Sequence, residues 1–149
     1  MRHQEAGFNL IELMIVIAIM ATLAAIAIPS YSHYLNKSRA ISAVVLTEPV
    51  RTSLTEYAMM HHGNLSGASN QSLNMESDDL VAGSKDVTAI QIAGEGANTV
   101  KINVTLADGL GDLTWTGEFQ TKTEGMIWQC TYPADTALAH YAPANCEAD

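Results

Sequence analysis

The sequence predicts an α+β protein. One long N-terminal α-helix, a membrane half followed by an amphipathic half, packs on a four-stranded antiparallel β-sheet, and two cysteines close a C-terminal loop. Three observations carry this reading. The run from Phe8 to Ile28 is almost wholly apolar and would be about 31 Å long as a helix, enough to cross a hydrocarbon core of about 30 Å. Beyond it, Ala43, Leu46, Val50, Leu54 and Tyr57 recur at spacings of three or four, one stripe of a helix. Between Val87 and Tyr132, four stretches alternate apolar and polar residues with the period of a half-buried strand.

Bulk composition bounds the function. The chain has 149 residues, 48% of them hydrophobic, and a formal charge of −9. Without Phe8–Ile28 the remainder is polar and rich in Ser, Thr, Asn and Gly, so one membrane-type segment is joined to one modest domain. The charge excludes a broad basic face for nucleic acid, which needs clustered Lys and Arg. Of seven basic residues, Lys37, Arg39 and Arg51 fall just past the apolar run.

The N-terminus does not follow secretory logic. Residues 1–7, "MRHQEAG", form a short polar leader, and the small residue Gly7 precedes the apolar run instead of following it. A cut there keeps the whole hydrophobic helix. Within the run stands one carboxylate, Glu12, although an acid in hydrocarbon costs roughly 2.5–3.5 kcal/mol on insertion scales. A side chain one turn from the helix end can reach the headgroups. A partner charge is the alternative.

The helix is expected to run from Phe8 to about Met60, close to 80 Å. It divides at Pro29 into a hydrophobic half, residues 8–29, and an amphipathic half, residues 30–60. Pro29 and Pro49 each remove an N–H and crowd the preceding turn, so kinks are expected at both. Residues 61–86 read as a surface loop rich in Gly, Ser and Asn. His61 and His62 there diverge on a helix end and read as solvated, and the sequons at Asn64, Asn70 and Asn103 are short enough to arise by chance. The sheet occupies residues 87–132 as a meander, with turn signals at "GEGAN", "DGLGD" and "KTEG". Its apolar face needs a cover, which the helical stripe supplies, so Trp115 and Trp128 read as core. Residues 130–146 form the closing loop. Beyond an export segment, Cys130 and Cys146 read as a disulfide, with a metal site the weaker alternative because no CxxC or spaced histidine completes four ligands.

The stretch "GFNLIELMIVIAIMATLAAIAIPSY" resembles the type IV pilin and pseudopilin signature, in particular that of short-leader major (type IVa) pilins. Asn9 stands where the family has Thr, and Ala21 where it has Gly. The resemblance implies cleavage between Gly7 and Phe8 by a prepilin peptidase, and N-methylation of Phe8. It places the family's assembly acid at Glu12, whose partner is the Phe8 amine of another subunit. Pro29 and Pro49 sit where the short-leader major pilins carry helix prolines. The cysteine-closed segment is similar to the exposed C-terminal region of those pilins.

The implied function is structural. The subunit is held in the inner membrane of a Gram-negative cell by a single span, then stacked with other pilin subunits into an extracellular fibre by inner-membrane assembly machinery. Family uses of such a fibre are adhesion to host or abiotic surfaces, twitching motility, biofilm formation and DNA uptake through the tip. A type II secretion pseudopilin or a minor pilin is the alternative, and a membrane-anchored periplasmic binding domain that never polymerises is a further one. No catalytic constellation, cofactor cradle or metal-ligand set is legible: carboxylates are scattered, and no nucleophile has a base at a plausible spacing. "CEAD" lacks the spaced oxygens of a calcium loop.

Overall fold

The computed structural model describes residues 9–149. The elements are α1 (Leu10–Met60), a short α2 (Ser77–Leu80), and strands β1 (Val87–Gly94), β2 (Thr99–Leu106), β3 (Asp112–Gln120), β4 (Gly125–Tyr132) and β5 (Cys146–Ala148). The chain forms two compact units that divide between Leu35 and Asn36.

The N-terminal unit contains the first half of α1. Its most apolar window has a mean hydropathy of 2.6 and is wholly unburied, so this helix is long and apolar enough to cross a membrane. Its threonine and serine hydroxyls are satisfied locally: Thr22 Oγ1 donates to the Ile19 carbonyl (2.8 Å), Ser30 Oγ to that of Ile26 (3.1 Å) and Ser32 Oγ to that of Pro29 (2.9 Å). Each hydroxyl therefore enters an apolar environment already bonded. The helix is continuous through Pro29 and, in the second unit, through Pro49. At each, the missing N–H leaves the carbonyl four residues earlier without its helical donor.

In the second unit α1 buries Ala40, Ala43, Thr47, Val50, Leu54 and Ala58. Spacings of three and four keep these on one side of the helix, and three alanines let it approach the sheet closely. Leu46 and Tyr57, expected on the stripe, are only partly buried, and Thr47 takes the central place at 0% exposure. A threonine can sit there because its Oγ1 donates to the Val44 carbonyl at 2.7 Å, leaving no polar group unpaired.

The sheet runs β1-β2-β3-β4-β5 in space and is antiparallel through its first four strands. Ile90, Ile92, Val100, Ile102, Val104, Leu113, Trp115 and Phe119 face the core, as the alternation predicts. Gly117, opposite Trp128, lies beneath that indole: an added Cβ would stand 2.6 Å from its ring. The expectation of four strands needs correction. A fifth, β5, pairs parallel to β4 through Cys130↔Cys146, Thr131↔Glu147 and Tyr132↔Ala148. Three residues are too few to show an alternating pattern, and the disulfide brings them to the edge.

The helix ends as a Schellman turn. Gly63 N–H bonds the Ala58 carbonyl (2.7 Å) and His62 N–H that of Met59 (3.4 Å), with His62 itself at φ +53°. After it, residues 61–86 do more than cover surface. Leu65 and Ala68 are buried in the core, α2 forms a single turn, and Asn70 seals the free edge of β1. Asn70 Oδ1 accepts from Ile92 N–H (2.8 Å), and its Nδ2 donates to the Ile90 and Met75 carbonyls (3.0 and 2.9 Å). Ser77 Oγ accepts from Ile90 N–H at 3.0 Å. An amide so engaged is not a free glycan acceptor, and an edge so occupied does not template another strand. Asn70→Ala should therefore lower stability by about 2–3 kcal/mol, the cost of orphaning partly buried backbone groups. Amide exchange at Ile92 should rise with it. Unchanged exchange at Ile92 would show that the side chain does not hold the edge.

Candidate assembly site

The first turn of α1 places Glu12. Gly7 and Phe8, the expected processing junction, lie outside the described residues. Asn9 precedes the helix as its N-cap: Ile11 N–H donates to Asn9 Oδ1, and Asn9 N–H donates to Glu12 Oε2, each at 3.4 Å. Asn9-Leu-Ile-Glu12 is thus an asparagine form of the capping box, in which two otherwise unpaired donors of the first turn are satisfied reciprocally. Both bonds are long, so the carboxylate keeps capacity for a further partner. Its second oxygen makes no hydrogen bond among the described residues. Beside its expected place as a membrane acid and assembly residue, Glu12 is thus a helix cap, and the N-x-x-E spacing ahead of an apolar run is the sequence signal for that role.

Around Glu12 the surface is apolar and unshielded. Leu10, Ile11, Leu13, Met14 and Ile15 are all more than half exposed, Leu10 at 72%. In the second unit the sheet's core is filled by the later half of α1. A helix hydrophobic all round is stable only in lipid or in a bundle of like helices.

The other residues singled out by sequence fall elsewhere. Cys130 and Cys146 form a disulfide with Cα atoms 4.5 Å apart, directly opposite each other on β4 and β5. The loop it closes is also pinned by Leu138, which is fully buried in a short 3-10 turn, Ala137–His140. His61 stacks on Tyr57 with ring centroids 3.9 Å apart and its Nδ1 lies 2.9 Å from the Tyr57 carbonyl. Trp115 is core at 3% exposure, and the Arg51 guanidinium lies over it at 4.2 Å, paired with Glu48. Arg39 bonds Asp108 (2.8 Å) and Asp86 (3.5 Å), joining α1 to the β2–β3 turn and the start of β1. Among the described residues, no three His, Cys, Asp or Glu converge on a point where a metal could sit.

Comparison with known proteins adds to this geometry. The family model for pilin, a bacterial filament protein, matches residues 36–147, and that for the prokaryotic N-terminal methylation motif matches residues 2–28. A fimbrial protein of Neisseria meningitidis serogroup B is 37% identical over 92 residues, which cover 62% of this chain and 52% of that protein. The type IV major pilin protein PilE1 of Neisseria gonorrhoeae is 44% identical over 61 residues, 41% of this chain and 37% of the relative. The chain thus spans about half the length, or less, of these Neisseria relatives. A fimbrial protein of Pseudomonas aeruginosa is 29% identical over 149 residues, 95% of this chain and 96% of the relative. No solved structure matches the chain. With the methylation motif on its apolar, acid-bearing helix and the pilin model over its sheet unit, the chain belongs to the pilin family of bacterial filament proteins.

Proposed function

We propose that this chain is the repeating subunit of a type IV pilus. The observation that carries the proposal is an apolar helix, wholly unburied in its most apolar window, with a carboxylate in its first turn. Such a helix is at home in a membrane, and the acid gains a role only when a second charge meets it. Cleavage between Gly7 and Phe8 by a prepilin peptidase creates that charge, the amine of Phe8, subsequently methylated. Helices stacked with an axial stagger then bring Glu12 of one subunit to the Phe8 amine of another. Desolvation offsets much of the attraction, so the pair sets register more than it adds stability.

The precursor waits in the inner membrane as a single-pass protein, and the assembly machinery extracts it into the fibre. The protein is structural and not an enzyme. A major pilin is the reading favoured by the disulfide-closed C-terminal segment and by relatives that carry that name, over a minor pilin or secretion pseudopilin. Adhesion, twitching motility, biofilm formation and DNA uptake are the uses such a fibre would serve, with surfaces or DNA met at its side or tip.

Protein sheared from cells should begin at N-methylated Phe8. Mass and N-terminal sequencing decide this. Functional protein beginning at Met1, or cut beyond Pro29, would reject the processing on which the assembly reading rests.

A further inference from the structure

A filament built by one repeated contact needs two different surfaces on each subunit, a heterologous joint that does not close. The sheet unit, Asn36–Asp149, offers a matched pair. Its exposed large hydrophobics include two on the early turns of its helix, Ile41 (48%) and Val45 (61%), and two at the helix end, Met59 (54%) and Met60 (71%). Ile127, also exposed, stands apart on the outer face of β4. Ile41 and Val45 are four residues apart, on the side of α1 away from the buried Ala43 and Thr47. Lys37 lies one turn earlier on the same ridge.

At the helix end Met59 helps line a cavity of about 230 Å³ together with His62, Phe119, Thr121 and Glu124. Met59 and Phe119 supply its apolar part, while His62 and, from the β3–β4 turn, Thr121 and Glu124 make its lining as polar as it is apolar. Lys37 and Glu124 form no ion pair among the described residues, and they carry opposite charge.

We propose that a second copy of this chain docks here: the Lys37–Ile41–Val45 ridge of one subunit seats on the Met59–Phe119 cavity of the next, with Lys37 meeting Glu124. The ridge lies on α1, the element that also carries the apolar run assigned to assembly, so one helix supplies both contacts. This inference rests on the polymerisation proposed above and names the surface that joins the sheet units. From Ile41, the middle of the ridge, to Met59 is 18 residues of helix, so copies with parallel axes would be offset by about 27 Å.

The test uses the full-length chain in cells that assemble it. The described chain has no free cysteine, so Val45→Cys with Thr121→Cys introduces the reactive thiols. Oxidised fibres of the double variant should run as a ladder of multimers, and either single variant should not. Lys37→Glu should cut the yield of sheared fibres at least tenfold without changing membrane level or processing at Gly7, and adding Glu124→Lys should restore it. Melting of the solubilised subunits checks that each variant folds, and the charge swap decides should the cysteine pair fail to assemble. Normal yield from Lys37→Glu, failure of the swap to restore it, or fibres of the double cysteine variant without a ladder would overturn the docking. Absence of fibres from the unaltered chain would overturn the polymerisation reading instead.

Discussion

Cys146→Ser is expected to lower the melting temperature of the sheet unit by about 10–15 °C. In the chain-entropy model a loop of this length, with a sequence separation of 16, is worth about 3 kcal/mol. For a domain near 100 residues, each kcal/mol moves the midpoint by about 4–8 °C, somewhat less as size grows. The structure says where the loss falls. β5 has three residues and pairs with β4 alone, parallel and at the sheet edge, so without the covalent link little holds it. The bond from Asp149 N–H to the Tyr132 carbonyl should go with it. The rest of the closing loop retains an anchor in Leu138, so the first four strands should keep their register. Thermal melts of the exported protein, oxidised and reduced, measure the effect, and reduction of the unaltered chain should reproduce the substitution. A shift under about 2 °C in both would show that Leu138 pins the loop unaided.

Much of this fold was legible because its long elements repeat one period many times. Helix α1 and strands β1 to β4 each carry enough residues for the stripe or the alternation to stand out. The details that escaped are those where a polar group is buried in a locally bonded form. Thr47 lies at the centre of the helix stripe because its hydroxyl returns to Val44, which a hydrophobicity pattern cannot register. Asn70 looked like a loop residue or a chance sequon, yet its amide serves as the partner strand that β1 lacks. His62 ends the helix in a left-handed conformation that composition would assign to glycine or asparagine. The fifth strand had no pattern to read. At the assembly site the residue was legible and half its role was not: Asn9 and Glu12 answer each other across one turn, a local signal overshadowed by the puzzle of an acid in an apolar run.

That second role sharpens what substitution at Glu12 should show. Glu12→Val is expected to leave membrane insertion intact or improved, since an acid near hydrocarbon opposes insertion by up to a few kcal/mol. On the proposed pairing fibres should be lost, because the Phe8 amine would be left uncompensated in the bundle core, the costly way to break a buried pair at roughly 3–5 kcal/mol. At 1.4 kcal/mol per tenfold this exceeds a hundredfold at every joint. Val also removes the acceptor for Asn9 N–H, so by itself it confounds the pair with the cap. Glu12→Gln separates them. Glutamine can serve at this position of a capping box, so the first turn keeps its bond while the charge disappears. If the carboxylate only caps its own helix, Gln should assemble normally and Val should fall slightly, since a bond of 3.4 Å is weak. If it meets the amine of a neighbour, both variants should remain in the inner membrane, processed at Gly7 and unassembled. The measurement is subunit in the inner-membrane fraction against subunit in sheared fibres, with each variant the only pilin present. Normal fibre yield from Glu12→Gln would leave the acid as a helix cap and remove the charge pair from the assembly mechanism.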